Sequence, residues 1–287
     1  MMLSHRAVCG ALLAIALASV DARADPARSE SDQVNLQLVA EAPGADGTIR
    51  AALLIDLAPG WKTYWRDPGE AGIPPSFDFS ESHNTGPAWI GFPAPHRFSD
   101  GYGLSNGYSG DMAVTFVLPQ TARGETTDLR LKIMLGVCEK ICVPVQAELA
   151  LDVPVTVMST ADSGSSAGSP VARAFAALPP ASEPGNGIVG ARLTADGTHL
   201  LVSTAAPLDP ATSDLFVAGP RGWSFGPPED RAAEGTGTRV SLPVLSRPRQ
   251  LPAQGLNVDA VLTEGSASAE VRELTVATSP DGSTPLP

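Results

Sequence analysis

Two runs of alternating apolar and polar residues, joined by a pair of cysteines, constrain the fold of this chain most strongly. Every second residue is apolar from Leu129 to Val137, and the same alternation continues from Val143 to Val155. A period of two residues is typical of half-buried β-strands, and two such runs separated by a short segment predict an antiparallel hairpin. The joining segment, 138–142, reads Cys-Glu-Lys-Ile-Cys. The fold must therefore place two cysteines at the end of one hairpin.

The spacing of Cys138 and Cys142 limits how the two can pair. Along a single extended strand their Cα atoms would be roughly 13 Å apart, whereas a disulfide needs about 4.4–6.8 Å. If residues 139–141 form a loop, the cysteines face each other across the hairpin at about 4.5–5.5 Å. Both cysteines have even numbers, and the apolar face of both strands is odd-numbered. We therefore expect both sulfurs to point away from the core, toward solvent or toward whatever covers that face.

Three kinds of chemistry fit this cysteine pair. A disulfide that closes so short a loop stabilises the fold little, whereas short, strained and exposed disulfides exchange readily. An inert structural disulfide is the second interpretation. The third is a Cu(I) site, in which Met134 or Met112 would complete the soft sulfur ligands. Lys140 would modestly favour the thiolate at either cysteine. The residues alone favour a redox-active pair and leave the other two interpretations open.

Turn-forming residues divide the rest of the chain into many short strands. The 28 glycines and 27 prolines separate short apolar runs, a pattern typical of all-β sandwiches and barrels. Ser169 as a cap and Pro170 as the first helical residue predict one short helix, to about residue 178. Further strands are predicted at 34–39, 48–57, 112–118, 190–193, 199–204, 215–218, 239–245, 256–262 and 269–277.

These elements predict two β domains. Residues 25–157 form the first domain, and 158–187 a linker that includes the short helix. Residues 188–280 form a second, smaller domain of the β-sandwich type, followed by a disordered tail at 281–287. The second domain has no cysteine and a single histidine, so the candidate chemistry lies in the first.

The N-terminus has the features of a secretory signal peptide. Arg6 supplies positive charge, residues 7–20 form an apolar run, and Ala22-Arg23-Ala24 is a cleavage site. The run is shorter than the roughly twenty residues that span a bilayer, and no later run approaches that length. Cleavage after Ala24 would leave only two cysteines, in an oxidising compartment where disulfides persist. We expect an exported protein without stable membrane insertion.

The charge of the chain argues against one class of partner. The formal net charge is −12 at pH 7. Removal of residues 1–24 takes away two arginines and one aspartate, so the value becomes −13. An acidic chain repels the phosphates of nucleic acid. We expect no nucleic-acid partner.

Two other segments carry candidate residues. Trp61 and Trp65 belong to an aromatic run, and their side chains either fill the core, where tryptophans bury large areas, or contact a partner. Residues 103–107 match the G-x-S-x-G pattern of a hydrolase nucleophile elbow. That elbow requires a helix after the serine, and a strand is predicted there instead. We do not expect a serine hydrolase.

Four segments carry a resemblance to a known family: 60–69 (Gly-Trp-Lys-Thr-Tyr-Trp-Arg-Asp-Pro-Gly), 92–95 (Phe-Pro-Ala-Pro), 100–103 (Asp-Gly-Tyr-Gly) and 137–144 (Val-Cys-Glu-Lys-Ile-Cys-Val-Pro). Together they resemble the N-terminal periplasmic domain of the thiol:disulfide interchange protein DsbD. They are closer still to the same region of the ScsB (suppressor of copper sensitivity) proteins. The resemblance covers about 32–157 well and is weaker over 170–280, where similar proteins carry a second β domain.

This resemblance implies an immunoglobulin-like sandwich in the periplasm, with no cofactor. Its cysteine pair, Cys138 and Cys142, would take electrons from a membrane electron-conducting thiol oxidoreductase and pass them to periplasmic thioredoxin-fold proteins. The family pattern suggests that Cys142 forms the mixed disulfide. A cap loop of Asp100, Gly101 and Tyr102 is expected to cover the pair, with Tyr102 as the shielding aromatic. The residues expected to contact a partner are Tyr64, Trp65 and Lys140.

The chain departs from the DsbD pattern in three respects. Its cysteines are closer together, with three intervening residues. Gly101 occupies the place of a phenylalanine in the cap. No transmembrane conducting domain and no C-terminal thioredoxin-like domain is found, so the reductant is expected to be a separate protein.

Overall fold

The computed structural model describes residues 25–99, 103–154, 168–183, 185, 187–249 and 255–277. Four of the predictions concern residues outside these ranges: the signal peptide, the first ten residues of the linker (158–167), the cap loop (Asp100, Gly101 and Tyr102) and the tail. They remain predictions. No helix among the described residues has the length and apolar character needed to cross a membrane.

The first domain is an immunoglobulin-like sandwich of two β-sheets. Its strands are β1 (Arg28–Glu30), β2 (Val34–Ala40), β3 (Thr48–Leu57), β4 (Lys62–Gly69), β5 (Ser76–Asp78), β6 (Trp89–Gly91), β7 (His96–Ser99), β8 (Leu104–Ser109), β9 (Met112–Pro119), β10 (Thr127–Cys138) and β11 (Cys142–Val153). One sheet has the order β1-β2-β3-β9-β6. The other has the order β11-β10-β4-β8-β7, with β5 also paired to β10. Alternate residues of both sheets point inward and form one apolar core.

The second domain is built on one connected sheet of eight strands. It follows α1 (Pro170–Ala176) and comprises β12 (Ile188–Leu193), β13 (His199–Thr204), β14 (Ser213–Ala218), β15 (Ser224–Phe225), β16 (Asp230–Glu234), β17 (Gly237–Ser246), β18 (Leu256–Glu264) and β19 (Ala267–Ala277). The strand order is β14-β18-β19-β12-β13-β17-β15, with β16 also on β17. Buried residues from most of these strands share a second apolar cluster. The predicted all-β class is confirmed.

The single helix begins where its cap was predicted. The Ser169 hydroxyl accepts a hydrogen bond from the Ala172 amide at 2.9 Å, and Pro170 is the first helical residue. The Arg50 guanidinium lies 4.1 Å from the ring centroid of Phe175. The helix therefore packs against β3 of the first domain.

The two domains share an apolar interface. Phe216, Ala218 and Val261 belong to the second domain, yet they are buried in the same cluster as the core of the first. The rings of Trp65 and Phe216 meet edge to face, with centroids 6.3 Å apart. Ion pairs flank this contact: Arg97 with Asp214 at 2.9 Å, and Arg66 with Asp259.

A buried carboxyl group lies at the same interface. Asp67, on β4, accepts hydrogen bonds from the backbone amides of Gly69 in its own domain and of Phe225 in the other. Burial raises the pKa of Asp67 to about 7, although these two bonds act in the opposite direction. The folded protein thus binds this proton more tightly than the unfolded chain does, because an unperturbed aspartate titrates near 3.8.

The Asp67→Asn variant is expected to be more stable than the parent at alkaline pH. The stabilisation from protonated Asp67 is fully present below about pH 4 and is lost as the pH rises through about 7. Asparagine stays neutral and keeps a carbonyl oxygen that can accept the hydrogen bond from the Gly69 amide. At pH 8 it should add about 2–4 kcal/mol to the free energy of unfolding, and at pH 4 close to nothing. Urea denaturation at both pH values measures this difference.

The exposed Asp78 is the matched control. Hydrogen bonds from Ser80 lower the pKa of Asp78, so its carboxylate is favoured in the folded state. The Asp78→Asn variant should therefore gain no stability at pH 8. If Asp67→Asn has the same effect at pH 4 and pH 8, the titration of Asp67 in the folded protein is normal and the prediction is wrong.

Candidate functional site

The cysteines close a hairpin, as their spacing predicts. β10 and β11 pair in register along their full length, and Cys138 lies opposite Cys142 as the last pair. The two form a disulfide, with their Cα atoms 4.2 Å apart. Residues 139–141 make the turn between the strands. The Cα separation is slightly shorter than expected from a regular pair of residues facing each other across a hairpin.

Both sulfurs lie on the face of β10 and β11 that points away from the sandwich core. Val137 is part of the core cluster, whereas its neighbour Cys138 is buried outside that cluster. The two cysteines differ in exposure: Cys138 is 2% exposed, and Cys142 is half-buried. The face is therefore covered, and the cover protects Cys138 more than Cys142.

The main cover is the side chain of Tyr64. Its hydroxyl oxygen lies 2.7 Å from Sγ of Cys138 and 3.1 Å from Sγ of Cys142. Disulfide sulfurs carry no hydrogen, so the hydroxyl is the donor. The side chain is 1% exposed. The structure places Tyr64 against both sulfurs, and the contact with a partner that the resemblance implies for Tyr64 stays a prediction.

Close backbone packing fixes the position of Tyr64. β4 lies beside β10, where Thr63 pairs with Val137 and its hydroxyl donates to the Gly136 carbonyl at 2.9 Å. A Cβ atom on Gly136 would lie 2.6 Å from Cβ of Ile73 and 3.1 Å from the Tyr64 ring. A Cβ atom on Gly107 would lie 2.0 Å from the Thr63 carbonyl oxygen. Glycine at 136 and 107 therefore lets the backbone lie closer to the Tyr64 segment than a residue with a side chain would permit.

A second aromatic ring, that of Phe98, extends the cover. It stacks on Tyr64, with centroids 6.1 Å apart, and the Lys62 ammonium nitrogen lies 4.8 Å from its centroid. The sequence did not predict a role for Phe98, because the shielding ring was expected within the cap loop. The position of Phe98, directly before that loop, is the feature that could have indicated it. The phenyl ring that stacks on Tyr64 therefore comes from β7.

The remaining predicted side chains lie in different environments. Trp65 is fully buried in the core shared with the second domain. This burial agrees with the interpretation that Trp65 fills the core, and its contact with a partner stays a prediction. Lys140 is exposed in the turn, beside Ile141, which is 66% exposed. Ser105 is buried on β8 and its hydroxyl donates to the Ala71 carbonyl, so residues 103–107 form a strand and no nucleophile elbow.

Neither of the two methionines in the described ranges, Met112 and Met134, lies at the sulfurs. Met112 packs against the sandwich core from the opposite sheet. Met134 is four residues from Cys138 along β10, roughly 13 Å at the rise of a strand. Within the described part of the chain, no group of three or more His, Cys, Asp or Glu residues could hold a metal ion.

Fold and site together define the class: an all-β protein with an immunoglobulin-like sandwich, a further eight-stranded sheet, and a disulfide at a hairpin end that an aromatic side chain covers. Residues 31–154 match the family model described as thiol:disulfide interchange protein DsbD, N-terminal. The resemblance of the first domain to this family is confirmed.

A solved structure extends the likeness to the whole fold. The chain is similar to the crystal structure of the N-terminal periplasmic domain of ScsB from Proteus mirabilis, with a TM-score of 0.65 and 21% sequence identity. The match covers 89% of this chain and 99% of that one, so both β domains take part. A comparison with curated protein sequences finds no match.

Proposed function

We propose that this chain is a periplasmic thiol–disulfide interchange module whose Cys138–Cys142 pair exchanges electrons with other proteins. The observation that carries the proposal is the Tyr64 hydroxyl, which contacts both sulfurs of a disulfide that closes a three-residue loop. A disulfide over so short a loop adds little to stability. A buried hydroxyl donor at the two sulfurs can instead stabilise the thiolate that forms when the disulfide is reduced.

The two sulfurs take different roles because their exposure differs. In the reduced protein the Cys142 thiolate attacks a partner disulfide, forms a mixed disulfide and releases the partner's second sulfur as a thiolate. The Cys138 thiolate then attacks Cys142, closes the disulfide and releases the partner as a dithiol. Two electrons and two protons pass to the partner. Reduction by a donor dithiol reverses these steps, with Cys138 leaving as the thiolate to which Tyr64 donates.

The proposed module needs a donor and an acceptor. The donor is a membrane electron-conducting thiol oxidoreductase, and the acceptors are periplasmic thioredoxin-fold proteins, both of which exchange dithiols for disulfides. The family description of residues 31–154 and the signal-peptide features of residues 1–24 support this assignment. The cap residues Asp100, Gly101 and Tyr102 and the exposed Lys140 would border the surface on which such partners dock. Sulfur itself carries the electrons, so the exchange requires no cofactor.

Trapping of a mixed disulfide tests the proposal. Cys138→Ser removes the resolving sulfur and keeps the accessible Cys142, so this variant should accumulate a covalent complex with a periplasmic thioredoxin-fold protein. Cys142→Ser leaves only the buried sulfur and should accumulate much less. The trapped species is detected by non-reducing electrophoresis and identified by mass spectrometry. The Cys138→Ser/Cys142→Ser double variant is the negative control.

The alternative is an inert structural disulfide. It predicts that neither single variant traps a partner, and that the reduction potential of the parent lies below about −300 mV. Either result would refute the interchange function. A potential well above that value, together with trapping by Cys138→Ser, would support it.

A further inference from the structure

Two strands of the first domain each link the disulfide to the second domain. On β4, Tyr64 contacts the sulfurs, and the next residue, Trp65, packs against Phe216 of the second domain. On β7, Phe98 stacks on Tyr64, and the preceding residue, Arg97, pairs with the second domain. Successive side chains of a strand point to opposite faces. A contact that fixes Trp65 therefore also restrains Tyr64, and a contact that fixes Arg97 also restrains Phe98.

A continuous hydrogen-bond chain joins the second domain to β4. The Arg97 guanidinium donates to the Asp214 carboxylate at 2.9 and 3.1 Å. It also donates to the Asn106 side-chain oxygen at 2.8 Å. The Asn106 amide in turn donates to the backbone carbonyl of Asp67 at 3.1 Å. Asn106 is buried, so water competes little for these bonds.

An apolar contact reinforces this chain. Phe216 is buried in the core of the first domain, where its ring meets Trp65 edge to face. The Arg97 guanidinium lies 4.7 Å from the centroid of the same ring. One side chain of the second domain thus contacts both residues that neighbour the aromatic cover of the disulfide.

We propose that the second domain positions the aromatic cover: Phe216 and Asp214 hold Trp65 and Arg97, and thereby keep Tyr64, on which Phe98 stacks, against the cysteines. This inference rests on the proposed function and assigns a role in it to the second domain. When the contacts loosen, the Tyr64 hydroxyl no longer stays within hydrogen-bond distance of the sulfurs. The reduced pair then loses the donor that stabilises its thiolate, and the disulfide becomes harder to reduce.

The test measures the equilibrium of the full chain with glutathione. Asp214→Ala and Phe216→Ala are each expected to lower the equilibrium constant for reduction about three- to tenfold at pH 8. The effect should shrink as the pH is lowered, because a protonated thiol gains less from the Tyr64 donor than a thiolate does. Phe216→Tyr retains the ring and should restore the parent value. Asp230→Ala, an exposed aspartate of the second domain, is the matched control and should leave the constant unchanged.

A double-mutant cycle shows whether the change in the reduction equilibrium depends on the Tyr64 hydroxyl. In a Tyr64→Phe background, Asp214→Ala and Phe216→Ala should cause no further change, because the hydroxyl that they position is absent. An undiminished effect in that background, or parent-like constants in both single variants, would overturn the positioning role. Failure of the trapping experiment would instead refute the proposed function. The glutathione equilibrium can be measured in either case, since it requires only the disulfide.

Discussion

Replacement of Tyr64 by phenylalanine is expected to lower the equilibrium constant for reduction of Cys138–Cys142 by about ten- to hundredfold, with a slower reduction by small thiols. The variant keeps the ring and its contact with Phe98, and it removes only the hydroxyl 2.7 Å from the Cys138 sulfur. Because Cys138 is only 2% exposed, no water molecule replaces that hydrogen bond readily. Titration with glutathione and the rate of reduction by dithiothreitol measure the two effects.

Tyr108→Phe is the control for this prediction. Tyr108 is also buried in the first domain, but its hydroxyl donates to the Pro93 carbonyl at 2.8 Å. Its removal should cost stability and leave the reduction equilibrium unchanged. Equal equilibrium constants for parent and Tyr64→Phe would show that the hydroxyl only covers the disulfide. Easier reduction of the variant would show that the hydroxyl favours the oxidised form.

The second large effect is expected on stability. Trp65→Ala should lower the free energy of unfolding of the full chain by about 3–5 kcal/mol, the cost of emptying the space of a buried tryptophan. Trp65 is fully buried and meets Phe216 across the interface, so the cavity would open in a core that both domains share. Urea denaturation followed by circular dichroism measures the loss.

Trp89→Ala provides the comparison for the same chemical change. Trp89 is 43% exposed, and its main contact is the Arg272 guanidinium, 3.7 Å from its ring centroid. Its removal should cost about 1 kcal/mol or less. If Trp65→Ala costs no more than Trp89→Ala, Trp65 does not support the core and the shared interface contributes little to stability.

The hairpin could be predicted in detail because neighbouring residues determine it. Alternation with a period of two predicts both strands, and the three residues between the cysteines predict which positions face each other. The helix that begins at Ser169 is likewise determined by neighbouring residues, the cap and the proline that follows it. Strands β7 and β8 escaped prediction because buried polar groups interrupt their pattern. Asn106 is buried on β8, and its partners lie on β4 and β7.

The site was predicted only in part, for a related reason. The cysteines and Tyr64 were identified, but 74 residues separate Tyr64 from Cys138, and no sequence pattern shows that they touch. The sequence favoured a core position for Trp65 but did not exclude a contact with a partner, since the second domain that buries Trp65 lies far along the chain. Phe98 was missed because β7 is only four residues long. Contacts between distant segments therefore decide the role of each aromatic side chain.

The burial of Trp65 against Phe216 has a practical consequence for cutting this protein into pieces. A fragment ending near residue 154 would contain the whole cysteine hairpin and the whole matched family segment. It would also present Trp65, and the core around it, to water on the side from which Phe216, Ala218 and Val261 had been removed. Newly exposed apolar surface of this kind promotes self-association. The smallest unit that can report the behaviour of the intact disulfide is therefore the pair of domains together.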